Sequence, residues 1–206
     1  MDEKLETRDC ILKAAMDRIL HYGYAKTTMS EIARDCDMSA GNIYRFFSSK
    51  LDIAEAMARK YATEVFQNYA AIARDQEKSA TTRIQDIIAA GMERTYEVLN
   101  KDDKLLELAE VLSKERPDFA NEELAQERVH LVKVLEDGMA TGEFRHLDDP
   151  DFTAEIMQSA TMKFRYPQLW SHLSIEQLRR ELSGVLNLIE HSLKAPLTAP
   201  ETTITE

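Results

Sequence analysis

The chain has 206 residues, of which 44% are apolar, and this is enough to bury a sizeable core in one large or two small domains. Only six Gly and five Pro are present, which favours an all-helical protein, and the net charge of −11 argues against nucleic-acid binding over the whole surface. No apolar run approaches the roughly 20 residues that span a bilayer, and the polar N-terminal sequence lacks the core of a signal peptide, so we expect a cytoplasmic protein with no membrane partner.

The sequence pattern predicts three helices in the N-terminal part, at residues 5 to 22, 28 to 36 and 39 to 46. Thr28 is a favourable N-cap for the second helix, and Glu31 stands three residues later to complete a capping box. The sequence from Asp37 to Ser39 interrupts that helix, and Ser39 can cap the third. The spacing therefore predicts two short helices joined by a tight turn.

The third predicted helix has two different faces. Ile43, Phe46 and Phe47 point one way and supply an apolar face. The other face begins with small and polar residues, so its backbone can closely approach another surface. This arrangement suits a major groove read by a helix N-terminus, with phosphate contacts on either side. We predict a DNA-binding surface formed by Thr28, Ser39, Ala40, Gly41, Asn42, Tyr44, Arg45 and Lys50.

Each part of this surface has an expected role. Asn42 is expected to contact base edges, while Ala40 and Gly41 permit close approach to the double-stranded DNA. Arg45 can contact either bases or phosphates. Phosphate contacts are expected from Ser39, Tyr44 and Lys50.

The same segment carries the motif Thr28-x-x-x-Ile32-Ala33 followed by Ser39-x-Gly41-x-Ile43-Tyr44-x-Phe46-Phe47-x-x-Lys50. With this motif the chain resembles the DNA-binding helix-turn-helix of the TetR family of bacterial transcription regulators, over about residues 8 to 60. The resemblance implies a dimer interface of four helices. The turn of this family often holds Gly where this chain has Asp37. Because Asp tolerates left-handed backbone geometry better than most residues, we expect the turn to be kept.

The charge is divided unevenly along the chain. Residues 1 to 60 hold ten Lys and Arg against ten Asp and Glu, whereas residues 61 to 206 hold 16 against 27. The acidic excess therefore belongs to the second part. A neutral DNA-binding domain needs cations concentrated on one face, and the candidates are Lys26, Arg45, Lys50, Arg59 and Lys60.

Further helices bring the predicted total to about nine. They run from Ser49 to about Asp75, from Ala80 to Leu99, around Leu105 to Leu112, from Pro117 to Gly142, around Phe152 to Ala160 and from Ser174 to Leu193. The sequence from Ser174 to Gln177 predicts a capping box at the start of the last helix. Pro167 is expected to break or bend the chain before the last helix. The predicted domains are a helix-turn-helix domain at residues 1–50, an effector-binding and dimerisation domain at 51–195 and a disordered tail at 196–206.

The last two predicted helices carry apolar residues on more than one face. A helix that packs only within its own domain needs one apolar stripe, so the extra surface indicates pairing with a second copy, the alternative being a wide core. A homodimer also fits DNA reading, because two-fold dimers contact paired half-sites. The predicted interface consists of Phe152, Ile156, Leu178, Leu182, Val185, Leu186 and Ile189.

The second domain has a large apolar set, and nine Met in the chain favour an adaptable ligand pocket. Most members of this set are expected to be ordinary core residues. Two polar side chains among them could anchor a ligand, although a buried His or Gln more often bonds a backbone carbonyl. The pocket candidates are Met92, Tyr96, Leu112, Phe119, His130, Val134, Met157, Gln158, Met162 and Trp170.

Two Glu-x-x-His sequences offer an enzymatic alternative. Glu127 to His130 and Glu143 to His146 have the spacing of di-iron carboxylate bundles. The second sequence lies in a predicted turn rather than a helix, and the glycine motifs of nucleotide-binding loops are absent. We therefore expect no enzyme, no resident metal and no cofactor. A metal-sensing regulator that uses the five His is a further alternative.

The chain contains two cysteines, Cys10 and Cys36. Both lie in predicted helices without CxxC spacing or a nearby pair of His, so neither a disulfide framework nor a zinc site is expected. We interpret them as small core residues, with a redox sensor as the alternative.

These features together predict an all-helical, dimeric transcription regulator. We expect a repressor that leaves a palindromic operator when an unknown small apolar or amphipathic effector binds. The long helix from Ser49 to about Asp75 joins the recognition helix to the ligand domain. A ligand that moves this helix would change the separation of the two recognition helices in the dimer.

Overall fold

The computed structural model describes residues 3–99, 102–166, 169 and 173–194. Over these residues the chain forms nine α-helices, one short 3₁₀-helix and no strand, so the all-helical prediction is confirmed. The helices are α1 (Glu3–Tyr22), α2 (Met29–Asp35), α3 (Ala40–Ile43), α4 (Lys50–Arg74), α5 (Ala80–Leu99), α6 (Asp103–Glu115), α7 (Pro117–Ala140), α8 (Pro150–Ala160) and α9 (Ile175–Lys194), with the 3₁₀-helix at Met162–Arg165. The predicted break at Pro167 and the predicted tail lie outside the described residues.

The observed helix starts agree well with the predicted ones, because capping residues can be recognised in the sequence. The Asp149 side chain accepts the Phe152 N–H at 2.9 Å and caps α8. Ser174 and Gln177 bond reciprocally at the start of α9, where a capping box was predicted. The exception is α3, which ends at Ile43 rather than at residue 46. Its last turn tightens into bonds between residues three apart, which side-chain periodicity cannot reveal.

The chain divides into two compact units. Unit 1 contains Met1–Ala70 and Gly91–Glu127, and unit 2 contains Ala71–Ala90 and Arg128–Glu206. This division differs from the predicted boundary at residue 50, because α4, α5 and α7 contribute to both units and α6 belongs to unit 1. Periodicity locates a helix but does not say which other helices it packs against.

The core of unit 1 joins the N-terminal helices to α6. Ile11 of α1, Ile32 of α2 and Ile43 of α3 are fully buried. Leu108 and Leu112 of α6 belong to the same apolar cluster. Leu112, which the sequence assigned to a ligand pocket, is therefore a core residue of the unit that holds the helix-turn-helix.

Charged groups also fix α6 to the N-terminal helices. The Lys104 Nζ donates to the Leu20 carbonyl at 2.6 Å, near the C-terminus of α1, where helical carbonyls lack intrahelical partners. The Glu107 carboxylate accepts the Ala25 N–H at 3.3 Å in the loop that follows α1. Arg116, just after α6, donates to two carboxylates of α4 at 2.8 and 2.9 Å.

Two half-buried carboxylates, those of Asp137 and Glu143, organise unit 2. Arg83 is 2% exposed and donates to Asp137 at 2.9 Å. The Glu143 carboxylate accepts the N–H groups of Ala80 and Thr81, at 2.7 and 2.9 Å, and so caps the start of α5. Burial alone would raise the pKa of Glu143, but the bonds from Thr81 and Ala80 hold that pKa below its ordinary value. The carboxylate of the second Glu-x-x-His sequence is thus occupied by the helix start.

Within the described ranges, no helix combines the length and the apolar character needed to cross a membrane.

Candidate nucleic-acid interface

The start of α2 carries the predicted capping box, which is confirmed. The Thr28 hydroxyl accepts the Glu31 N–H at 3.3 Å, and the Glu31 carboxylate accepts the Thr28 N–H at 3.0 Å and its hydroxyl at 2.7 Å. These bonds to Thr28 hold the pKa of Glu31 below its ordinary value. Arg18 of α1 bridges Glu31 at 2.9 Å and Asp35 at 2.7 Å, which fixes α2 on α1.

The turn between α2 and α3 keeps its left-handed residue, as expected. Asp37 has a φ of 53° and is the only described residue other than Gly with a positive φ. The N–H groups of Cys36 and Met38 both donate to the Ala33 carbonyl, at 3.1 and 3.0 Å. The C-terminal carbonyls of α2 are therefore satisfied by the turn itself.

The predicted reading face of α3 lies at the surface. Ser39, Ala40 and Gly41 are exposed, and the Ser39 hydroxyl accepts the Asn42 N–H at 3.2 Å as the N-cap. No described atom lies within 4 Å of the place that a Cβ at Gly41 would take. The remaining candidates differ in exposure, because Tyr44 and Arg45 are exposed and Asn42 is half-buried.

Lys50 has partners that the sequence did not predict. Its Nζ donates to the Tyr24 carbonyl at 2.6 Å and lies 4.1 Å from the centre of the Tyr24 ring. Burial lowers the pKa of Lys50, and the nearby Glu107 carboxylate opposes that shift. Lys50 therefore holds the loop that follows α1, and only its other two N–H groups are left for a phosphate.

Two of the other candidate cations are already paired. Arg59 bridges two carboxylates at 2.8 Å each, and Lys60 bridges Asp9 at 2.8 Å. Lys26, in contrast, is exposed like Arg45. A cation that the sequence analysis missed is Arg8, which donates to the Phe46 carbonyl at 3.1 Å and so holds the segment after α3.

The ligand-pocket candidates fall into both units. Met92 is buried in unit 1, where Tyr96 and Phe119 are half-buried. The carboxyl group of Glu123, which the sequence analysis missed, lies in the same unit. Burial raises the pKa of this group to about 7. The acidic helix face that contains Glu123 looks solvated in the sequence, so only the fold reveals its burial.

The other candidates belong to unit 2. Val134, Met157 and Gln158 are buried, and the Gln158 carbonyl oxygen accepts from Arg128 at 3.1 Å. Burial lowers the pKa of the half-buried His130. Met162 is half-buried, and Trp170 lies outside the described residues. In the described part of the chain, no three His, Cys, Asp or Glu side chains are grouped so that they could hold a metal ion.

The dimer candidates divide by burial. Leu178, Leu182 and Leu186 are 0%, 2% and 7% exposed in the single chain, so they pack inside their own subunit and offer no surface to a partner. The other four candidates are accessible in the single chain. Phe152 and Ile156 are exposed, and Val185 and Ile189 are half-buried. Leu188, which the sequence analysis omitted, is 74% exposed.

Two family models match the chain. The model described as bacterial regulatory proteins of the tetR family matches residues 11–57, which include α2, α3 and the turn between them. The model described as a tetracyclin repressor-like C-terminal domain matches residues 80–186.

Named relatives and solved structures agree with these models. The chain is 24% identical to the HTH-type transcriptional repressor KstR2 of Mycolicibacterium smegmatis over 184 residues, which cover 87% of this chain and 88% of KstR2. Its fold resembles Thermus thermophilus FadR, solved with lauroyl-CoA, at a TM-score of 0.68 and 18% identity over 94% of this chain and 98% of FadR. It also resembles SmeT, the repressor of a Stenotrophomonas maltophilia multidrug efflux pump, at a TM-score of 0.65 and 19% identity over 97% of this chain and 96% of SmeT. Since the C-terminal model alone matches more than half of its residues, the chain belongs to the TetR family of bacterial regulatory proteins.

Proposed function

We propose that this protein is a transcriptional repressor that binds a palindromic operator as a homodimer and leaves it when a small apolar or amphipathic molecule binds. The observation that carries the proposal is the exposed first turn of α3, with open space around Gly41. A recognition helix contacts base edges with its N-terminal residues, and a first turn of small residues lets the backbone enter the groove.

Exposure, bonding and side-chain chemistry support the following roles within this surface. Asn42 reads a base edge, because its amide can pair with adenine in the major groove. Ser39 and Tyr44 contact phosphates on either side, and the exposed Arg45 contacts bases or phosphates. Lys50 contributes mainly by holding the Tyr24 carbonyl. The Thr28 hydroxyl is engaged in the cap of α2, so any contact of Thr28 with DNA is secondary to that cap.

Substitutions in α3 test the reading role. On a duplex that the wild-type protein selects from a random pool, Asn42→Ala is expected to cost roughly 1 to 3 kcal/mol of binding free energy. On a scrambled duplex it should change little, because nonspecific binding depends on phosphates. Gly41→Ala should keep the fold, since its Cβ meets no atom, yet weaken binding to both duplexes by crowding the groove. Fluorescence anisotropy with both duplexes measures these effects.

The matched control is Asn68→Ala, an exposed asparagine on α4, which should leave both affinities unchanged. Thermal melting separates DNA contact from folding, because Gly41→Ala should melt no lower than the wild type. Equal losses for Asn42→Ala on the selected and scrambled duplexes would contradict base reading.

The effector class is supported by proteins of the same fold. FadR was solved with lauroyl-CoA, and SmeT was solved with triclosan. Both ligands have a large apolar part, but lauroyl-CoA also carries several negative charges. Such charges would meet the acidic excess of residues 61 to 206, which hold 16 Lys and Arg against 27 Asp and Glu. We therefore favour an apolar effector with little charge.

A comparison of lauric acid, lauroyl-CoA and triclosan tests this class. A compound that binds the folded protein at 100 times its dissociation constant is expected to stabilise it by about 2.7 kcal/mol, which thermal melting detects. The same compound should weaken operator binding about 5- to 150-fold, and operator DNA should weaken its binding by the same factor. Lauric acid should bind more tightly than lauroyl-CoA, because the latter carries several negative charges.

Metal ions serve as the control series, since a metal-sensing regulator was the alternative. If divalent ions change operator binding while no apolar compound does, the proposed effector class is wrong.

A further inference from the structure

Cys10 and Cys36 lie close together in unit 1, although they are 26 positions apart in the sequence. Cys10 is exposed on α1, and Cys36 is half-buried at the C-cap of α2. Both residues line the same cleft, and Cys10 is near enough to contribute to the raised pKa of the Cys36 thiol. The expectation that both are core residues is therefore wrong for the exposed Cys10, whereas the half-buried Cys36 does pack against the core of unit 1.

The two thiols open onto the surface that is proposed to read DNA. Both line a cleft of about 760 Å³ in unit 1, together with Asn42 and Arg45. Met38, from the turn between α2 and α3, lines the same cleft. A small reagent that enters the cleft thus reaches the thiols beside two proposed DNA contacts.

We propose that Cys10 and Cys36 form a reversible disulfide with a low-molecular-weight disulfide as oxidant, and that this bond lowers operator affinity. The first half of the proposal stands on the cleft that Cys10 and Cys36 line together, with the influence of Cys10 on the Cys36 thiol as support. The second half rests on the proposed function.

The reaction consists of two thiol–disulfide exchanges. The Cys10 thiolate attacks one sulfur of the oxidant RSSR, which forms a Cys10–SR bond and breaks the RS–SR bond. The expelled thiolate takes up the proton that Cys10 released. Cys36 then loses its proton and attacks the Cys10 sulfur, which forms the Cys10–Cys36 bond and expels the second RS⁻, protonated to RSH. Two protein thiols are oxidised, and one RSSR is reduced to two RSH.

Access and ionisation give the two cysteines different roles. Because Cys10 is the exposed thiol, its thiolate is the first to attack a disulfide reagent from solvent. Burial raises the pKa of the Cys36 thiol to about 12, with further increases from the adjacent Cys10 and from Asp35 and Asp37. Once Cys10 is in a mixed disulfide it no longer carries an ionisable proton, so its share of the increase in the Cys36 pKa disappears, while the larger share from burial remains. Cys36 then acts as the resolving thiol.

The effect on DNA follows from the place of Cys36 in the chain. It is followed directly by the left-handed Asp37 and by Met38, whose N–H caps α2, and this turn sets the direction of α3. Oxidation shortens the separation of the sulfurs to about 2.05 Å. The C-cap of α2 is drawn towards α1, and α3 must reorient with the turn.

The test uses the full-length protein and oxidised glutathione as the probe. We expect intact mass to fall by two hydrogen atoms with no adduct, and affinity for the selected duplex to fall at least about tenfold, or about 1.4 kcal/mol. Dithiothreitol should restore both values. Cys36→Ser should instead accumulate a glutathione adduct on Cys10, whereas Cys10→Ser should form no disulfide. Both variants should bind the duplex like the reduced wild type.

Several results would overturn the proposal. A glutathione adduct that persists on the wild-type protein, or a mass that does not change, excludes the disulfide. A disulfide that forms without a change in duplex affinity excludes the switch. A reduced protein that selects no duplex would refute the proposed function and the switch, while the mass measurement would still decide whether the disulfide forms.

Discussion

Replacing Leu188 and Phe152 together with glutamate is expected to convert the protein from a dimer into a monomer and to weaken operator binding at least about 100-fold. Leu188 on α9 is 74% exposed and Phe152 on α8 is 56% exposed in the single chain. A two-fold dimer that covers both side chains in both copies gains about 1.5 to 3 kcal/mol for each one buried. Glutamate removes this gain and adds the cost of burying a carboxylate.

Sedimentation velocity at micromolar concentration measures the assembly state, and anisotropy with the selected duplex measures binding. Asn68→Glu, which adds the same charge to an exposed position of α4, should leave both unchanged. Leu182→Glu serves as a second comparison and should unfold the chain, because Leu182 is 2% exposed within its own subunit. A wild-type protein that sediments as a monomer, or a double variant that stays dimeric, would contradict the proposed interface.

Features that depend on neighbouring residues could be predicted from the sequence. The capping box of Thr28 and Glu31 and the one at Ser174 were predicted because each involves residues three apart. The left-handed geometry at Asp37 was expected from the resemblance to the TetR family, whose turn often holds Gly at this position, and Asp tolerates that geometry. These local rules placed α2, α3 and the turn between them, and hence most of the candidate reading face.

Features that depend on distant residues could not be predicted in this way. The apolar residues of α9 form more than one stripe, and periodicity alone does not show that Leu182 faces its own subunit while Leu188 faces outwards. Likewise, the bond between Lys50 and the Tyr24 carbonyl joins residues 26 apart. The sequence shows such a side chain as a free cation, and only the fold supplies its partner.

The second large effect is expected from α6, which lies outside the recognition motif. Leu112→Ala should lower the free energy of unfolding by about 2 to 5 kcal/mol, because it leaves a cavity in the core that α6 shares with α1, α2 and α3. Operator affinity should fall as well, although Leu112 is buried and is not part of the proposed reading face. Chemical denaturation and duplex anisotropy measure the two effects.

Leu112→Met is the matched control, since it nearly conserves volume and should cost less than about 1.5 kcal/mol. Lys114→Ala, at an exposed position of the same helix, should cost almost nothing. If Leu112→Ala lowers stability but a fully folded sample binds the duplex like the wild type, then α6 only stabilises unit 1. If affinity falls in the folded sample too, α6 also positions the recognition helix. Lys104 bonds the C-terminal end of α1, and Glu107 bonds the loop that follows it. Through these two bonds, any displacement of α6 would then reach the helices that hold α3.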